Sequence, residues 1–436
     1  MKIRFYLSLF IARIAYYFLK ITKLSTGTAI IGLLTLKICP KFLKYADDLL
    51  TGVKINITGT NGKTTTTGII SHLVNKSEKT FLNNSAGANM LNGIVNALAL
   101  QLSPFKKYDY SIIETDEAFL EKIYNGMNGD YLLVTNLFED QTDRFANPLV
   151  TKSLIQKGID LKPEVQLILN ADEPISSGLK SNKVPIYYGV EDVVDETSQI
   201  LEDNKQNYEC PVCHQPLVYT KKFYSQIGHF ECGCGYKRAN LKYKFNVVLH
   251  KDSSTIKLNE EIFEIPLVGL YNAYNAMGAI VLAKELGLKN IEENILTFKV
   301  AFGRSEKRNL YGHDTLIQLI KNPAGTNEVL KTVDLNSNIL IAVNNNIADG
   351  TDVSWLSQAN FEKLAASNKE IVVSGMCVNA VEERLKQAGI KNIKVISEIS
   401  KAVDYIGKNA DNNITVLTTY TALLKIDKIK EMKKCF

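Results

Sequence analysis

A strand, a glycine-containing loop and a helix follow one another between residues 53 and 74. The apolar run Val53–Ile57 predicts the strand, and Thr64–Val74 predicts the helix. A phosphate-binding loop needs this order, because glycines let backbone N–H groups close on phosphate oxygens, a lysine reaches the outer phosphates and a threonine hydroxyl ligates Mg²⁺. We therefore predict a nucleotide-binding loop that contains Gly59, Thr60, Asn61, Gly62, Lys63, Thr64 and Thr65.

The loop departs from the pattern G-x-x-x-x-G-K-[ST] at one position, because Ile57 stands where the first glycine is expected. A Gly-Lys-Thr triplet alone also occurs in ordinary strand-to-helix turns. The strand before the triplet and the helix after it favour nucleotide binding over such a turn.

A length of 436 residues predicts roughly three domains of ~150 residues each. Hydrophobic residues make up 45% and charged residues 22% of the chain, which is typical of a globular protein and excludes a disordered one. The net charge of +5 suits an anionic substrate such as ATP and does not by itself indicate a nucleic acid.

Strands and helices alternate from about residue 50 to 190, which predicts an α/β fold with a mostly parallel sheet and ligands at the carboxyl ends of its strands. The predicted strands are Val53–Thr58, Lys79–Leu82, Tyr108–Glu114, Tyr131–Thr135 and Val165–Asn170. The predicted helices are Thr64–Val74, Gly87–Leu102, Ala118–Tyr124 and Leu149–Gly158.

These patterns divide the chain into an apolar helical segment (residues 1–48), a central domain (residues 49–305) and a smaller C-terminal α/β domain (residues 306–436). Residues 203–240 are polar and rich in cysteine, which predicts an insertion in the central domain. The predicted elements after the insertion are the strands Ile262–Val268, Ile339–Val343, Ile371–Val373, Ile393–Ile396 and Thr415–Leu417 and the helix Ala273–Glu285.

The apolar segment Phe5–Ile21 contains Arg13 near its middle, where a charge disfavours a membrane span. It also lacks the small-residue cleavage site of a signal peptide. Two interpretations remain: a helix packed on the body of the protein, or a helix lying on the inner membrane surface. We expect a cytoplasmic protein that works near the membrane.

The insertion contains the pairs Cys210/Cys213 and Cys232/Cys234, separated by 18 residues. Four thiolates in two close pairs predict a zinc ribbon whose four ligand positions are all filled, which is a structural site. The second pair is spaced Cys-x-Cys instead of the usual Cys-x-x-Cys, and His229 is a reserve ligand.

Three carboxylates, Glu114, Asp116 and Glu117, follow a predicted strand. Mg²⁺ held by nucleotide phosphates usually takes one or two protein carboxylates, and Glu114 at the strand end is the best candidate. The alternative is a solvated helix start, where negative charge is favoured.

Two later motifs carry polar side chains that suit contacts with a nucleotide. Two asparagines, Asn272 and Asn275, begin a predicted helix and offer a helix cap and a contact to an adenine edge. Arg304 is suited to hold a transferring phosphate.

Taken in order, these motifs resemble the Mur ligase family and its folylpolyglutamate synthase relatives over about residues 50–310. The matching segments are Thr58–Thr64, Glu114, Asn136–Asp143, Leu169–Asp172, Asn272–Asn275 and Arg304. The resemblance implies Mg²⁺ held by Thr64 and Glu114, and phosphate charge neutralised by Lys63 and Arg304.

Three departures from that family stand out. Gln141 replaces a metal-binding histidine, and neither Lys152 nor Lys157 is clearly the carbamoylated lysine. Only about 50 residues precede the loop, which is too few for the usual UDP-binding domain.

The Mur-like core, the zinc ribbon, Lys321–Gly325 and Asn344–Trp355 together resemble the MurT family. Members of that family pair with a GatD-like glutamine amidotransferase as lipid II isoglutaminyl synthase. The resemblance implies that the α-carboxylate of D-glutamate in the stem peptide is activated as an acyl phosphate and amidated by ammonia to D-isoglutamine. It also implies that Asp352, with Asp349 as second choice, orients the partner's catalytic histidine.

The main alternative is an amino-acid-adding ligase of the Mur or folylpolyglutamate type. A nucleic-acid-binding ATPase that uses the ribbon is disfavoured by the modest charge and by the lack of a basic and aromatic platform. A scaffold without activity is disfavoured by the intact Gly-Lys-Thr triplet and by Glu114.

Overall fold

The computed structural model describes residues 2–22, 28–84, 88–139, 147–196, 208–299, 304–346 and 349–434. Two large sheets organise these residues, and a two-stranded hairpin is inserted in sequence between two strands of the first sheet. The helices are α1 (Lys2–Thr22), α2 (Thr28–Ile38), α3 (Phe42–Leu49), α4 (Lys63–Lys76), α5 (Leu91–Gln101), α6 (Leu120–Tyr124), α7 (Pro148–Leu161), α8 (Leu270–Glu285), α9 (Ile291–Leu296), α10 (Pro323–Lys331), α11 (Val378–Gln387), α12 (Ile399–Asn409) and α13 (Tyr420–Ile426).

The first large sheet has nine strands in the order β11-β10-β9-β6-β5-β4-β1-β3-β2. Strands β2 to β6 and β9 pair in parallel with β1 or with one another, whereas β9, β10 and β11 pair antiparallel at one edge. The mostly parallel sheet predicted from the sequence is therefore confirmed. Its strands are β1 (Val53–Thr58), β2 (Phe81–Asn83), β3 (Tyr110–Glu114), β4 (Tyr131–Val134), β5 (Gln166–Asn170), β6 (Ile186–Asp195), β9 (Tyr243–Leu249), β10 (Ser254–Leu258) and β11 (Glu261–Ile265).

Helices cover both faces of this sheet, because side chains alternate along its buried strands. In β3, Ile112 lies in the core cluster beneath α4 and α8, and Ile113 lies in the opposite cluster, to which α1, α3 and α5 contribute. In β4, Leu133 and Leu132 divide between the same two clusters. The result is a three-layer α/β/α arrangement in which the N-terminal helices complete one layer.

The second large sheet has seven strands in the order β16-β15-β14-β17-β13-β12-β18. Strands β13 to β17 pair in parallel, and β12 and β18 form an antiparallel edge. This arrangement fits the smaller α/β segment predicted after Arg304. The strands are β12 (Arg304–Leu310), β13 (His313–Leu319), β14 (Asn338–Ala342), β15 (Ile371–Ser374), β16 (Ile393–Val395), β17 (Ile414–Thr418) and β18 (Met432–Lys434), and the hairpin strands are β7 (Val218–Tyr224) and β8 (Ile227–Glu231).

Candidate active site

The predicted phosphate loop connects β1 to α4 and contains two glycines with positive φ. Gly59 has φ +126° and Gly62 has φ +86°. A Cβ atom on Gly62 would lie 1.9 Å from Asn275 Oδ1, and one on Gly59 would lie 2.3 Å from Thr135 Oγ1. Both positions therefore need glycine for conformational and for steric reasons.

Helix α4 begins at Lys63, and Gly62 before it supplies no side-chain cap. The backbone N–H groups of a first helical turn lack intrahelical acceptors, and the helix dipole favours an anion there. An uncapped 14-residue helix behind a glycine loop therefore fits phosphate.

The segment that follows β4 holds the loop in place. Asn136 accepts a hydrogen bond from Asn61 N at 2.9 Å through Oδ1 and donates to Asn61 O at 3.0 Å through Nδ2. Its backbone oxygen accepts from Thr60 N at 2.8 Å, and Thr135 Oγ1 donates to Asn61 O at 2.7 Å. These four hydrogen bonds hold the loop in its shape.

Lys63 lies inside the loop beside a carboxylate. Its Nζ atom is 3.0 Å from Glu117 Oε2, and the two side chains are 11% and 9% exposed. Burial alone would lower the pKa of Lys63, but nearby carboxylates, led by that of Glu117, raise it above the ordinary value. Burial raises the pKa of Glu117 despite the attraction of Lys63. The lysine is therefore kept charged at the place where phosphate oxygens would bind.

Glu114 is the last residue of β3 and is only 2% exposed. Its Oε1 atom accepts a hydrogen bond from Asn89 Nδ2 at 2.9 Å. Asn84 holds its backbone through bonds of 2.8 and 2.7 Å to N and O. Asp116 instead accepts from Ala118 N at 3.1 Å. The three predicted carboxylates thus have three different partners, and Glu114 has the orientation support that a metal ligand needs.

Asn272 and Asn275 lie in the first turns of α8 and are both buried. Asn275 Nδ2 is 3.4 Å from Asn272 Oδ1, and Asn272 Nδ2 donates to Val268 O at 2.9 Å. Thr66 Oγ1 also donates to Asn275 O at 3.3 Å. The structure therefore brings Asn275 against the phosphate loop, and the adenine contact stays a prediction.

Residues just after β13 meet the loop from the second sheet. Lys321 Nζ donates to Thr60 O at 3.2 Å. The amides of Asn61 and Asn322 exchange hydrogen bonds of 3.3 and 3.1 Å. Asn322 also caps α10 by accepting from Gly325 N at 2.9 Å. A second lysine therefore reaches the loop, and its field acts on Glu117.

Two sequence predictions fall where the structure gives no description. Residues 140–146, which include Gln141 and Asp143, lie outside the described residues. Arg304 begins β12 and pairs with Gln318, but its side chain lies outside the described part. The role predicted for Arg304 stays a prediction.

The four predicted zinc ligands converge. All four Sγ atoms lie within 4.8 Å of one another, with 3.7 Å between Cys210 and Cys234 and 3.4 Å between Cys213 and Cys232. Four sulfurs placed ~2.3 Å from a tetrahedral zinc ion would be about 3.8 Å apart, so the cluster fits that ion. His229 instead bonds Val190 O through Nε2 at 2.7 Å and is not among the four residues whose ligand atoms converge.

Asp172 joins the cysteine-rich insertion to the central sheet. This fully buried carboxylate lies 2.6 Å from Arg238 Nε, accepts from Val190 N at 2.7 Å and accepts from Tyr274 OH at 2.8 Å. Burial raises the pKa of Asp172, and Arg238 opposes the shift. The Leu169–Asp172 segment therefore anchors β6, α8 and the insertion.

Asp349 and Asp352, which lie in the turn predicted within Asn344–Trp355, differ in their exposure and in their hydrogen bonds. Asp349 is 6% exposed and accepts from Thr421 N at 2.7 Å and Asn346 N at 3.2 Å. Asp352 is partly exposed and contacts Ser354, through N and Oγ, at 2.8 Å. Asp349 stabilises the turn, whereas Asp352 is accessible to another molecule.

Several contacts within the site could not be identified from the sequence. Glu117 is 54 residues from Lys63, and Asn322 is 261 residues from Asn61. Asn84 and Asn89 are not among the residues predicted from the sequence, and their contacts with Glu114 depend on strand pairing.

Two families match successive parts of the chain. The Mur ligase middle domain matches residues 57–283, and the MurT ligase C-terminal family matches residues 319–423. Mur ligases use ATP and Mg²⁺, which agrees with a glycine loop, a buried lysine and a strand-end glutamate.

Sequence relatives span nearly the same length. The chain is 33% identical over 380 residues, 84% of each chain, to a Staphylococcus aureus (strain COL) protein named "Lipid II isoglutaminyl synthase (glutamine-hydrolyzing) subunit MurT". It is 29% identical over 399 residues to the Streptococcus pneumoniae (strain ATCC BAA-255 / R6) protein of the same name, covering 88% of this chain and 89% of the other.

The fold is similar to that of a pseudomurein peptide ligase type C from Methanothermus fervidus. The TM-score is 0.68 at 20% identity, with 91% of this chain and 84% of the other covered. With the family matches and the long MurT relatives, the fold and the loop geometry agree on one assignment: the chain belongs to the MurT family of Mur ligase-like enzymes.

Proposed function

We propose that this chain uses ATP to activate the α-carboxylate of D-glutamate in the stem peptide of lipid II. The carboxylate oxygen attacks the γ-phosphate to give an acyl phosphate and ADP. Ammonia then attacks the acyl carbon, phosphate leaves, and D-isoglutamine is formed. The main support is a fully assembled phosphate loop in a chain that aligns with 84% of a relative named for isoglutaminyl synthesis.

The loop residues have distinct roles in this proposal. Backbone N–H groups at Gly62 and the start of α4 bind phosphate oxygens. Lys63 neutralises charge on the transferring phosphoryl group, and Arg304 assists from β12. Thr64 and Glu114 hold Mg²⁺, which when bound supplies further neutralisation of phosphate charge.

Lys63 is paired with Glu117 inside the loop. Glu117 keeps the ammonium charged and directed into the loop, so an arriving phosphate meets a cation that is already placed.

Ammonia comes from a partner subunit. The relatives are named as glutamine-hydrolysing and as one subunit of a synthase. We infer that the partner is a GatD-like glutamine amidotransferase and that the partly exposed Asp352 orients its histidine. Asp352→Asn should abolish amidation with glutamine and leave amidation with ammonia intact. Loss of both activities, or of neither, would contradict this role.

The remaining assignments complete the proposal. The cysteine cluster binds one structural zinc ion and does not bind nucleic acid. We place the domain boundaries at residues 48/49 and 305/306. We assign the enzyme to the cytoplasm.

The test is to incubate the chain with ATP, Mg²⁺ and lipid II and to measure the product mass. Ammonia, glutamine, and glutamine with the co-expressed partner are compared. We expect conversion of a carboxylate to a carboxamide with ammonia, and with glutamine only when the partner is present. A mass increase by an amino-acid residue would instead identify an amino-acid-adding ligase.

A further inference from the structure

Helix α1 has one side packed on the protein and an opposite side that is apolar as well. Phe5, Leu9 and Ala12 lie on the inner side and are at most 3% exposed. They belong to the same core cluster as Phe42 and Ile94, so α1 is part of the folded body.

The outer side carries a continuous apolar stripe. At 100° per residue its members cover about a third of the helix circumference, opposite the buried side. A patch of this kind on a soluble body marks an interaction surface. The stripe includes Ile3, Phe10, Ile14, Tyr17, Phe18 and Ile21, which are 53–81% exposed.

Positive charge is concentrated in the N-terminal segment, and three of its basic residues flank the stripe. The first 46 residues contain eight Lys and Arg residues and no Asp or Glu, so the other 390 residues carry 43 basic and 46 acidic side chains. Lys2 and Lys20 are about five turns apart and lie on the same side of α1. Arg4 borders the other side of the stripe, and all three are exposed. The surface is therefore complementary to a negatively charged layer.

A membrane-spanning arrangement does not fit this packing. Among the described helices, α1 is the one long and apolar enough to cross a membrane, by length and composition. However, Arg13 Nη2 donates to Leu102 O, and the inner side of α1 contacts protein. Lipid cannot surround a helix whose inner side is packed in this way, whereas a helix in the interface plane exposes one apolar side only.

We propose that α1 lies in the plane of an anionic phospholipid surface. The stripe enters the boundary between headgroups and acyl chains, and the lysines and Arg4 contact lipid phosphates. The aromatic rings of Tyr17 and Phe18 suit that boundary. This surface is independent of the reaction proposed above, so its test does not depend on that reaction.

The test is flotation of the full chain with vesicles of phosphatidylcholine alone or with phosphatidylglycerol. Ile14→Glu is compared with Ile262→Glu in β11, a matched control because Ile14 and Ile262 are 53% and 52% exposed. We expect binding to the anionic vesicles only, weakened by salt, and reduced roughly tenfold or more by Ile14→Glu. Ile262→Glu should bind like the parent chain, and both variants should melt at the parent temperature.

Other results would overturn the proposal. These are equal binding by Ile14→Glu and the parent, no binding to either vesicle, or binding that resists carbonate extraction, which would indicate a spanning helix. A lipid-free dimer that Ile14→Glu separates would assign the stripe to a second copy of the chain.

Discussion

The phosphate loop and the cysteine cluster are two short loop regions that converge polar atoms on a ligand, but they are stabilised differently. Hydrogen bonds from Asn136, Thr135 and Asn322 hold the phosphate loop against a nine-stranded sheet. The cysteine cluster lies in an insertion whose own core is small and includes Cys210 and Cys232 themselves.

This difference determines whether the free energy of ligand binding would support catalysis or folding. A nucleotide would bind to a loop whose shape is held by protein groups, so its binding energy would be available for catalysis. A zinc ion at the four thiolates would replace core that the insertion lacks, so its binding energy would contribute to folding.

Removing the zinc ligand is expected to have the largest effect. Cys213→Ser should release the ion and unfold the insertion, because structural zinc contributes ~10 kcal/mol in small metal-dependent modules. Metal content and thermal melting check this, with Cys39→Ser, a buried cysteine outside the cluster, as control. Full zinc content in Cys213→Ser would remove the contrast between the two regions.

Replacing the loop lysine should have the next largest effect, which falls on catalysis and leaves the fold intact. Lys63→Ala should lower kcat of amidation by ~10³-fold, because a preorganised charge is lost at the transferring phosphate. The matched control is Lys54→Ala, since Lys54 forms a similarly buried pair with Asp47 at 2.6 Å. If both variants lose activity equally, Lys63 has only a structural role.

Breaking the ion pair between Arg238 of the insertion and Asp172 should lower the free energy of unfolding without releasing zinc. Arg238→Gln leaves the buried Asp172 without its ion-pair partner, which costs about 3 kcal/mol. Chemical denaturation measures the loss, and metal analysis should still find one zinc ion. Simultaneous loss of zinc would mean that the cluster depends on the sheet.

Removing the Asn136 side chain, which holds the loop through Asn61, should have the smallest effect. Asn136→Ala removes two side-chain hydrogen bonds to Asn61, at about 1 kcal/mol each. We expect KM for ATP to rise roughly tenfold and the melting temperature to fall by a few degrees. An unchanged KM would show that the loop forms its shape without the Asn136 side chain.

Much of the sheet could be predicted because buried parallel strands are continuous apolar runs. The predicted Val53–Thr58 coincides with β1, and Tyr131–Thr135 and Val165–Asn170 each differ from the observed strand by one residue. Helix α5 begins at Leu91 and not at Gly87, because apolar periodicity does not locate a helix start.

The strands around the insertion could not be predicted in this way. Strands β9 and β10 alternate polar and apolar residues over short lengths, and their antiparallel pairing depends on neighbours far along the chain. Strand β6 passes from the buried interior to an exposed end, which interrupts its apolar run.

Some features of the candidate site could be predicted from a local sequence pattern, and others could not. The glycine loop, Glu114 and the four cysteines are recognisable because their chemistry requires a local pattern. The Lys63–Glu117 pair and the contact of Lys321 with Thr60 arise from tertiary packing, which no local spacing encodes.

The central claim is that the loop directs phosphoryl transfer to the substrate carboxylate. Lipid II labelled with oxygen-18 in the α-carboxylate of its D-glutamate would be amidated with ATP and ammonia, and the released phosphate analysed by mass spectrometry. The account predicts that one labelled oxygen per turnover appears in phosphate, because the acyl phosphate loses that oxygen when ammonia attacks. Amidation that leaves the phosphate unlabelled would contradict carboxylate activation at this site.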